Sequence, residues 1–214
     1  RVISKENGGH GSTINRGIQE ARGKYFKVVD GDDWVNTGDF VKLVKALKTC
    51  QGDYVATNYY EVNDKTGEKT SKDYKELSGK EVWKFEEAAA VIQLSMHSLV
   101  IKTEILKNNH IRLDEHCFYV DVEYILYPVP YVKTVQFLDL YVYMYRLAVT
   151  TQSVSLQGYQ KHMQNHIDVI LHLTEFFEKY AKSGSPEKTE YIGKRIAQMV
   201  GDQITIFVSF PETD

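Results

Sequence analysis

The feature that most constrains this chain is an acidic cluster, Asp30-Gly31-Asp32-Asp33, which directly follows the aromatic and β-branched segment 25–29. Such residues favour a β-strand. In open α/β sheets, ligands bind in the crevice outside the carboxyl ends of the strands. The pattern therefore predicts a ligand site at a strand end, and the plain alternative is an acidic Asp-Gly turn on a solvated loop.

The three carboxylates indicate which ligand such a site would take. Asp30, Asp32 and Asp33 repel one another in water, and a divalent cation removes that cost. Hard oxygen ligands suit Mg²⁺ or Mn²⁺, which keep positions open for substrate phosphates. An EF-hand is excluded, because Val35 stands where that loop needs glycine and Val41 where it needs a bidentate glutamate.

A glycine-rich segment, Asn7-Gly8-Gly9-His10-Gly11, precedes the acidic cluster and leads into a predicted helix with Ser12 or Thr13 as its N-cap. A helix N-terminus after such a loop is a common phosphate receptor. The segment matches neither the Rossmann fingerprint nor a P-loop. A tight turn followed by a helix cap is the structural alternative.

Composition narrows the class of protein. The 214 residues carry 26 Lys and Arg against 29 Asp and Glu, a net charge of −3, which argues against a nucleic-acid partner. Cys50 and Cys117 are the only cysteines, so neither a disulfide scaffold nor a thiolate zinc site is expected. Such a low cysteine content is typical of a protein from a reducing, cytoplasmic compartment. No segment approaches the length of a membrane span.

Strand and helix patterns alternate up to about residue 150, which predicts an α/β architecture. Val2-Ile3-Ser4 is interpreted as the end of a buried strand. Further strands are predicted at 54–62, 98–102 and 135–145, with a hairpin turn at 63–67, and helices at 38–49, 85–94, 104–108, 121–127, 159–181 and 187–207.

The combination of motifs resembles the central signature of the family-2 glycosyltransferases, which are inverting, nucleotide-sugar-dependent enzymes with the GT-A fold. The resemblance over residues 1–35 is carried by Glu6-Asn7-Gly8-Gly9, Asn15-Arg16-Gly17-Ile18, Ala21-Arg22-Gly23-Lys24-Tyr25 and Asp30-Gly31-Asp32-Asp33. Later matches are the acidic motif in 118–124, Tyr143-Met144-Tyr145-Arg146, and Gln152-Ser153-Val154-Ser155.

The resemblance implies a GT-A-like mixed sheet flanked by helices. Residues 1–155 would be a partial GT-A domain whose first strands, which carry nucleobase contacts in the family, are missing, and 156–214 a helical extension. Members of this kind commonly build bacterial surface polysaccharide. The implied activity transfers a sugar from a nucleotide diphosphate, with UDP the expected nucleotide, to a saccharide or lipid-linked acceptor.

The resemblance also implies roles for individual residues. Asp30, Asp32 and Asp33 would hold Mg²⁺ or Mn²⁺, and the nucleotide sugar would contact Asn7, Gly8, Asn15, Asp30, Gly31, Asp32 and Arg146. Asp121 matches the family's general base, with Glu123 as the fallback because Val120 replaces the usual glutamate. Asp121 as a helix N-terminal acid is the alternative.

Three further groups have open roles. Trp34 and His97 are candidates for sugar or acceptor contact, and each has a core-packing alternative. His162 and His166 stand one helical turn apart, and without a third ligand they are interpreted as a solvated helix face. The terminal helices have three open roles: packing on the catalytic domain, forming a homodimer, or resting peripherally on a membrane surface.

Two other functions compete with the enzyme. One is a non-catalytic nucleotide-sugar or metal-binding module, and the other is a structural α/β fragment whose acids are turns and caps. The expected location of the enzyme is cytoplasmic, at the inner face of the cell membrane. Metal-dependent stabilisation by a nucleotide separates the structural fragment from the other two.

Overall fold

A computed structural model describes residues 1–147 and 155–210 as a mixed sheet flanked by helices. The strands are β1 (Tyr25–Phe26), β2 (Trp34–Val35), β3 (Tyr54–Asn63), β4 (Lys69–Lys72), β5 (Trp83–Lys84), β6 (Leu99–Lys102) and β7 (Thr134–Leu147). The helices are α1 (Gly9–Glu20), α2 (Thr37–Ala46), α3 (Phe85–Ala89), α4 (Thr103–Asn108), α5 (Asp121–Leu126), α6 (Leu156–Lys161), α7 (Met163–Ala181) and α8 (Pro186–Val208).

The sheet has the order β1-β6-β3-β7-β2, with β4 paired to β3 and β5 paired to β7. Only the central pair β3 and β7 is parallel among the described strands, and its register shifts near Asn58. The predicted mixed α/β sheet is confirmed. The central strands β3 and β7 are rich in apolar residues, which is typical of strands that are covered by helices.

The first predicted elements differ from the structure. Val2 is 93% exposed and residues 1–8 form no strand, because no neighbouring strand pairs with them. Helix α1 begins at Gly9 and is capped by Gly8, so Ser12 and Thr13 lie inside the helix rather than at its N-cap. The φ of Gly9 is +80°, a conformation that glycine adopts without strain, and this allows the earlier start.

The strand β1 and the helix α3 are shorter than predicted, because side chains distant in sequence form hydrogen bonds around the residues that follow them. After the two residues of β1, the chain turns so that Lys27 Nζ donates to the carbonyl of His97 at 2.7 Å. Helix α3 ends at Ala89, and the chain that follows is held by side chains from elsewhere. Leu94 N donates to Tyr191 Oη at 3.1 Å and Ser95 N to Tyr74 Oη at 3.2 Å.

The C-terminal helices share one hydrophobic core with the sheet. Leu173 of α7 and Ile192 of α8 are fully buried in the same cluster as Tyr54 of β3. The ring of Tyr191 packs edge-on against Phe85 at 5.3 Å. Of the three roles open to these helices, packing on the sheet domain is therefore present.

His166 corrects the expectation of a solvated helix face on α7. Its side chain is buried, and its Nδ1 lies 2.9 Å from Gln203 Oε1 of α8. The apolar pattern of α7 places this position against α8, and Gln203 satisfies the imidazole there. Across the residues that the structure describes, every helix is too short or too polar to cross a membrane.

Candidate functional site

The acidic turn 30–33 lies between β1 and β2 and rests on the second half of β7. Asp33 N donates to Asp30 O at 3.2 Å, which closes the turn. Trp34 of β2 pairs with Met144 of β7, which fixes the turn beside the aromatic residues of that strand. The turn therefore lies directly before β2, and residues 27–29, predicted as the end of a strand, separate it from β1.

Tyr143 anchors this turn. Its hydroxyl donates to Asp33 Oδ2 at 2.6 Å and accepts from Asp30 N at 3.1 Å. Arg146 N donates to Asp33 Oδ1 at 2.8 Å. Burial raises the pKa of Asp33 to about 6, against the lowering effect of these two donors. Both oxygens of Asp33 thus have protein donors, and the side chain fixes the turn from inside.

Asp30 and Asp32 differ from Asp33 in their surroundings. Asp32 is exposed, and Asp30 is half-buried beside His10, whose Nε2 lies 3.0 Å from Asp30 Oδ1. Burial alone would raise the pKa of Asp30, but the contact with His10 outweighs it and the pKa is lowered. Burial alone would lower the pKa of His10, but the hydrogen bond and the charge of Asp30 outweigh it and the pKa is raised. Asp30 is therefore held as a carboxylate.

The donor set fits a divalent cation. Ligand atoms of Asp30, Asp33 and His97 lie within 4.8 Å of one another, and Asp32 adds an exposed carboxylate to the same turn. Burial lowers the pKa of His97 to about 4, so its imidazole is neutral and has a lone pair available. Carboxylate oxygens with one imidazole nitrogen suit Mn²⁺, and the carboxylates alone suit Mg²⁺.

His97 is packed among tyrosines. Its ring stacks on Tyr145 at 4.0 Å and lies 4.9 Å from Tyr143 and 5.4 Å from Tyr59. The Lys27 ammonium lies 5.3 Å from the centre of the Tyr143 ring. Burial lowers the pKa of Lys27 to about 7. Tyr143 and Tyr145, which alternate along β7, therefore build one wall of the site with His97.

Asp121 is the first residue of α5 and faces the acidic turn, since the charge of Asp30 acts on it. Burial raises the pKa of this carboxyl, while the positive charges of Arg195 and His10 oppose the rise and Asp30 adds to it. The preceding Tyr119 has a left-handed φ of 68° and stacks on Tyr159 of α6 at 5.0 Å. The structure brings Asp121 and the acidic turn together, and its role as a base stays a prediction.

Glu123 faces a different part of the molecule. Asp114 N donates to its Oε2 at 2.8 Å and Tyr127 Oη to its Oε1 at 3.1 Å. Asp114 also pairs with His172 of α7, and a cavity of about 460 Å³ lies beside them. Burial, with the charge of Asp114, raises the pKa of the fully buried Glu123 to about 7. This geometry favours a structural role over that of fallback base.

Asn15 and the glycine-rich segment hold the loop that precedes α5. Asn15 Nδ2 donates to Leu113 O, and Leu113 N donates to Asn15 Oδ1, both at 2.9 Å. His116 N donates to Gly8 O at 2.6 Å. A Cβ on Gly11 would lie 1.9 Å from Asp114 O, so only glycine fits there. The amide of Asn15 is thus paired within the protein, and its contact with a nucleotide stays a prediction.

The other predicted binding residues have the following surroundings. Asn7 Oδ1 accepts from Gly9 N at 3.0 Å, and Gly31 is exposed at the tip of the turn. The Arg146 guanidinium lies 5.4 Å over the ring of Trp34, which is 39% exposed. The part of the Ser-containing match at 152–154 lies outside the described residues.

Sequence reasoning missed three contributors to the site. The sequence patterns include His10 only as a member of the glycine-rich segment and Lys27 only as a member of a strand, and they do not single out Arg195. A histidine inside a glycine-rich loop and a lysine inside an apolar strand were available signals, since each is unusual in its setting. Arg195 gives no such signal, because an arginine on an amphipathic helix is ordinary.

The sheet, the acidic turn and the facing α5 define a GT-A-type α/β protein. Comparison with known proteins agrees. The chain aligns over 97% of its length with 55% of S. aureus TarS 1-349 in complex with UDP-GlcNAc, at a TM-score of 0.56 and 16% identity. The family model described as glycosyl transferase family 2 matches residues 1–105. The match over residues 1–105 supports a family-2 glycosyltransferase.

Curated relatives match shorter segments. The uncharacterized glycosyltransferase EpsJ of Bacillus subtilis is 43% identical over 60 residues, which are 28% of this chain and 17% of EpsJ. Glycosyltransferase GlyG of Streptococcus pneumoniae is 30% identical over 124 residues, which are 51% of this chain and 40% of GlyG. The chain thus covers well under two thirds of these relatives.

Proposed function

We propose that this protein is an inverting glycosyltransferase that moves a sugar from a nucleotide diphosphate, with UDP the expected nucleotide, to a saccharide or lipid-linked acceptor. The observation that carries the proposal is the electrostatic coupling of half-buried Asp121 to Asp30 of the acidic turn and to His10. A carboxylate that can accept a proton thus faces carboxylates that can hold a metal. The match of residues 1–105 to the family model supports the same activity.

The acidic turn would hold the diphosphate end of the donor. Asp30 and Asp32 would be the ligands of Mg²⁺ or Mn²⁺, with Asp33 and Tyr143 keeping the turn in place. The bound ion would act as a Lewis acid that neutralises the leaving diphosphate. The structural neighbour TarS was solved with UDP-GlcNAc, which supports a nucleotide sugar as the ligand class.

Asp121 would act as the general base. It would take the proton of the acceptor hydroxyl while that oxygen bonds to the anomeric carbon and the bond to the diphosphate oxygen breaks. Burial raises the pKa of Asp121 and makes it a better proton acceptor, while Arg195 and His10 favour its ionised form. One displacement inverts the anomeric centre, and no carboxylate nucleophile is needed.

A transfer assay tests this proposal. The protein is incubated with a panel of UDP-sugars and saccharide or lipid-linked acceptors, and release of UDP is measured with Mn²⁺ and with EDTA. We expect metal-dependent release in the wild type, loss of it in Asp121→Asn, and a product with the inverted anomeric configuration by NMR. UDP binding with no transfer to any acceptor would favour the alternative of a binding module.

We further propose a cytoplasmic location at the inner face of the membrane, where lipid-linked acceptors are found. A homodimer and a peripheral membrane contact stay predictions. Fractionation of cells, with the protein followed in soluble and membrane pools at low and high salt, tests the location.

A further inference from the structure

A second cavity, of about 540 Å³, lies at the end of strands β1 and β6 that is opposite to the acidic turn. Tyr25 of β1 pairs with Lys102 of β6 at this end. Toward the other end of the pair, Lys27 donates to the carbonyl of His97, a residue of the candidate site. The cavity is therefore separate from that site, and its volume is in the range of small-molecule sites.

The lining of this cavity is basic, although the whole chain carries a net charge of −3. Its charged side chains are four basic residues and one acidic residue, and the remaining side chains are small or polar. The basic residues are Arg22, Lys24, Lys102 and Lys107, and the acidic residue is Glu104. A lining of this charge and polarity favours a small anion over an apolar or cationic ligand.

Three of the four basic groups keep a charge that no carboxylate neutralises. Lys24 Nζ donates to Cys50 O at 2.7 Å, and Lys107 Nζ donates to two carbonyls at the C-terminal end of α1, at 2.6 and 3.0 Å. Carbonyls fix the two ammonium groups without cancelling their charge. Within the described part of the chain, neither lysine has a carboxylate partner, and the Arg22 guanidinium has no hydrogen bond or ion pair.

These three groups can reach a ligand. Arg22, Lys24 and Lys107 are exposed to solvent, whereas Lys102 is half-buried and its Nζ pairs with Asp53 Oδ1 at 2.8 Å. An ammonium group has three N–H donors and a guanidinium five, so each of the three exposed groups keeps at least one donor for a ligand. Lys107 therefore holds the end of α1 and still offers a donor to the cavity.

Several cationic donors around one cavity match the oxygens and the charge of a phosphate group. We propose that this cavity is a phosphate-binding site that works without a metal, with Arg22, Lys24 and Lys107 as its binding residues. The inference does not depend on the proposed transferase function. Two sources share this chemistry: a soluble phosphate compound and the headgroup of an anionic phospholipid.

Calorimetric titration of the full chain with inorganic pyrophosphate tests the site. EDTA is present, so that the acidic turn holds no metal and its carboxylates repel the anion. Arg22→Gln removes a basic charge from the cavity and Glu104→Gln removes its acid. Both positions are exposed, so both variants should fold normally. Lys65→Gln, in the exposed turn between β3 and β4, is the matched control for a lost positive charge.

The two cavity variants should act in opposite directions. We expect saturable binding of pyrophosphate by the wild type, weakened about 3- to 10-fold in Arg22→Gln and strengthened about 2- to 5-fold in Glu104→Gln. Lys65→Gln should bind as the wild type does. A structural role of these residues would not produce opposite signs, because both substitutions would then act only through folding.

Sedimentation with vesicles distinguishes the two sources. Vesicles of phosphatidylcholine alone are compared with vesicles that also contain phosphatidic acid. Vesicle binding that needs phosphatidic acid and is weakened in Arg22→Gln, but not in Lys65→Gln, assigns the lipid headgroup. Pyrophosphate binding without such vesicle binding assigns a soluble phosphate compound. The inference is wrong if the wild type binds neither probe, or if both cavity variants bind both probes as Lys65→Gln does.

Discussion

The sheet region, residues 1–147, and the C-terminal helices, residues 155–210, differ in how much of their contribution to the candidate site can be predicted from the sequence. In the sheet region, Asp30, Asp32 and Asp121 occur in motifs whose residue types and spacing are dictated by chemistry. In the helices no motif stands out, yet Tyr159 stacks on Tyr119 and Arg195 acts on Asp121. A local motif can be read from sequence, whereas a contribution through a distant contact becomes visible only in the fold.

The largest expected effect concerns the sheet region. Asp121→Asn keeps the shape of the side chain but removes the proton acceptor, so we expect kcat to fall by about 10²- to 10⁴-fold with little change in donor affinity. Steady-state kinetics and UDP titration measure the two quantities. Glu123→Gln is the companion variant and should retain kcat within a fewfold. The reverse pattern would transfer the base role to Glu123.

The second prediction tests whether the helices belong to the same cooperative unit. Leu173 is fully buried, and Leu173→Ala should lower the free energy of unfolding by about 2–5 kcal/mol in a single transition. Leu171 on the same helix is 55% exposed, so Leu171→Ala should change it by less than about 0.5 kcal/mol. Urea unfolding monitored by circular dichroism measures both. A separate early transition in Leu173→Ala would show that the helices unfold independently.

The third prediction uses the buried carboxyl that joins the two regions. Because Glu123 has a pKa near 7 in the folded protein, against 4.5 as the ordinary value, the folded state binds the extra proton between these values. Unfolding free energy should therefore fall as pH rises from about 4.5 to 7, by about 1–3 kcal/mol. The raised pKa of the facing His172, from its bond to Asp114, acts in the same direction.

Glu123→Gln should flatten this pH dependence, and Glu178→Gln, at an exposed position of α7, should leave it as in the wild type. Urea unfolding at a series of pH values measures the slopes. Equal slopes in the wild type and in Glu123→Gln would remove Glu123 as their source. Tyr127, which donates to Glu123, stays in place in all three proteins.

The smallest expected effect concerns the anchor of the acidic turn. Tyr143→Phe removes the hydroxyl that contacts Asp33 and Asp30, so we expect UDP binding in Mn²⁺ to weaken by about tenfold. Tyr141→Phe, two residues earlier on β7, is the control, since its ring stacks on Tyr60 away from the turn. Calorimetry measures both affinities. Equal losses in the two variants would mean that the turn is held without Tyr143.

Much of the fold follows from patterns in the sequence. The long strands β3 and β7 and the helices α2, α7 and α8 carry enough residues for their periodicity to be clear. The short elements do not: β1 has two residues instead of five, and the helix predicted at 85–94 ends at Ala89. Their lengths are set by tertiary hydrogen bonds from Lys27, Tyr74 and Tyr191, which no local window contains.

The candidate site, like the fold, can be predicted from the sequence only in part. The motif predicts the acidic turn and Asp121, but it treats the three aspartates as equivalent ligands. The structure separates them, since Asp33 is held by Tyr143 and Arg146 N while Asp32 is exposed. It also shows that the amide of Asn15 holds Leu113, a bond that spans 98 residues. Such pairings depend on the folded register, which one sequence does not reveal.

The most direct test of the central claim, that the acidic turn binds a nucleotide diphosphate through a metal, is thermal melting of the wild type and Asp32→Asn with UDP, Mn²⁺ or both. Asp73→Asn is the control at an exposed position. We predict that UDP and Mn²⁺ together raise the melting temperature of the wild type and of Asp73→Asn, that neither does so alone, and that Asp32→Asn shows no rise. An equal rise in Asp32→Asn, or none in the wild type, would contradict the account.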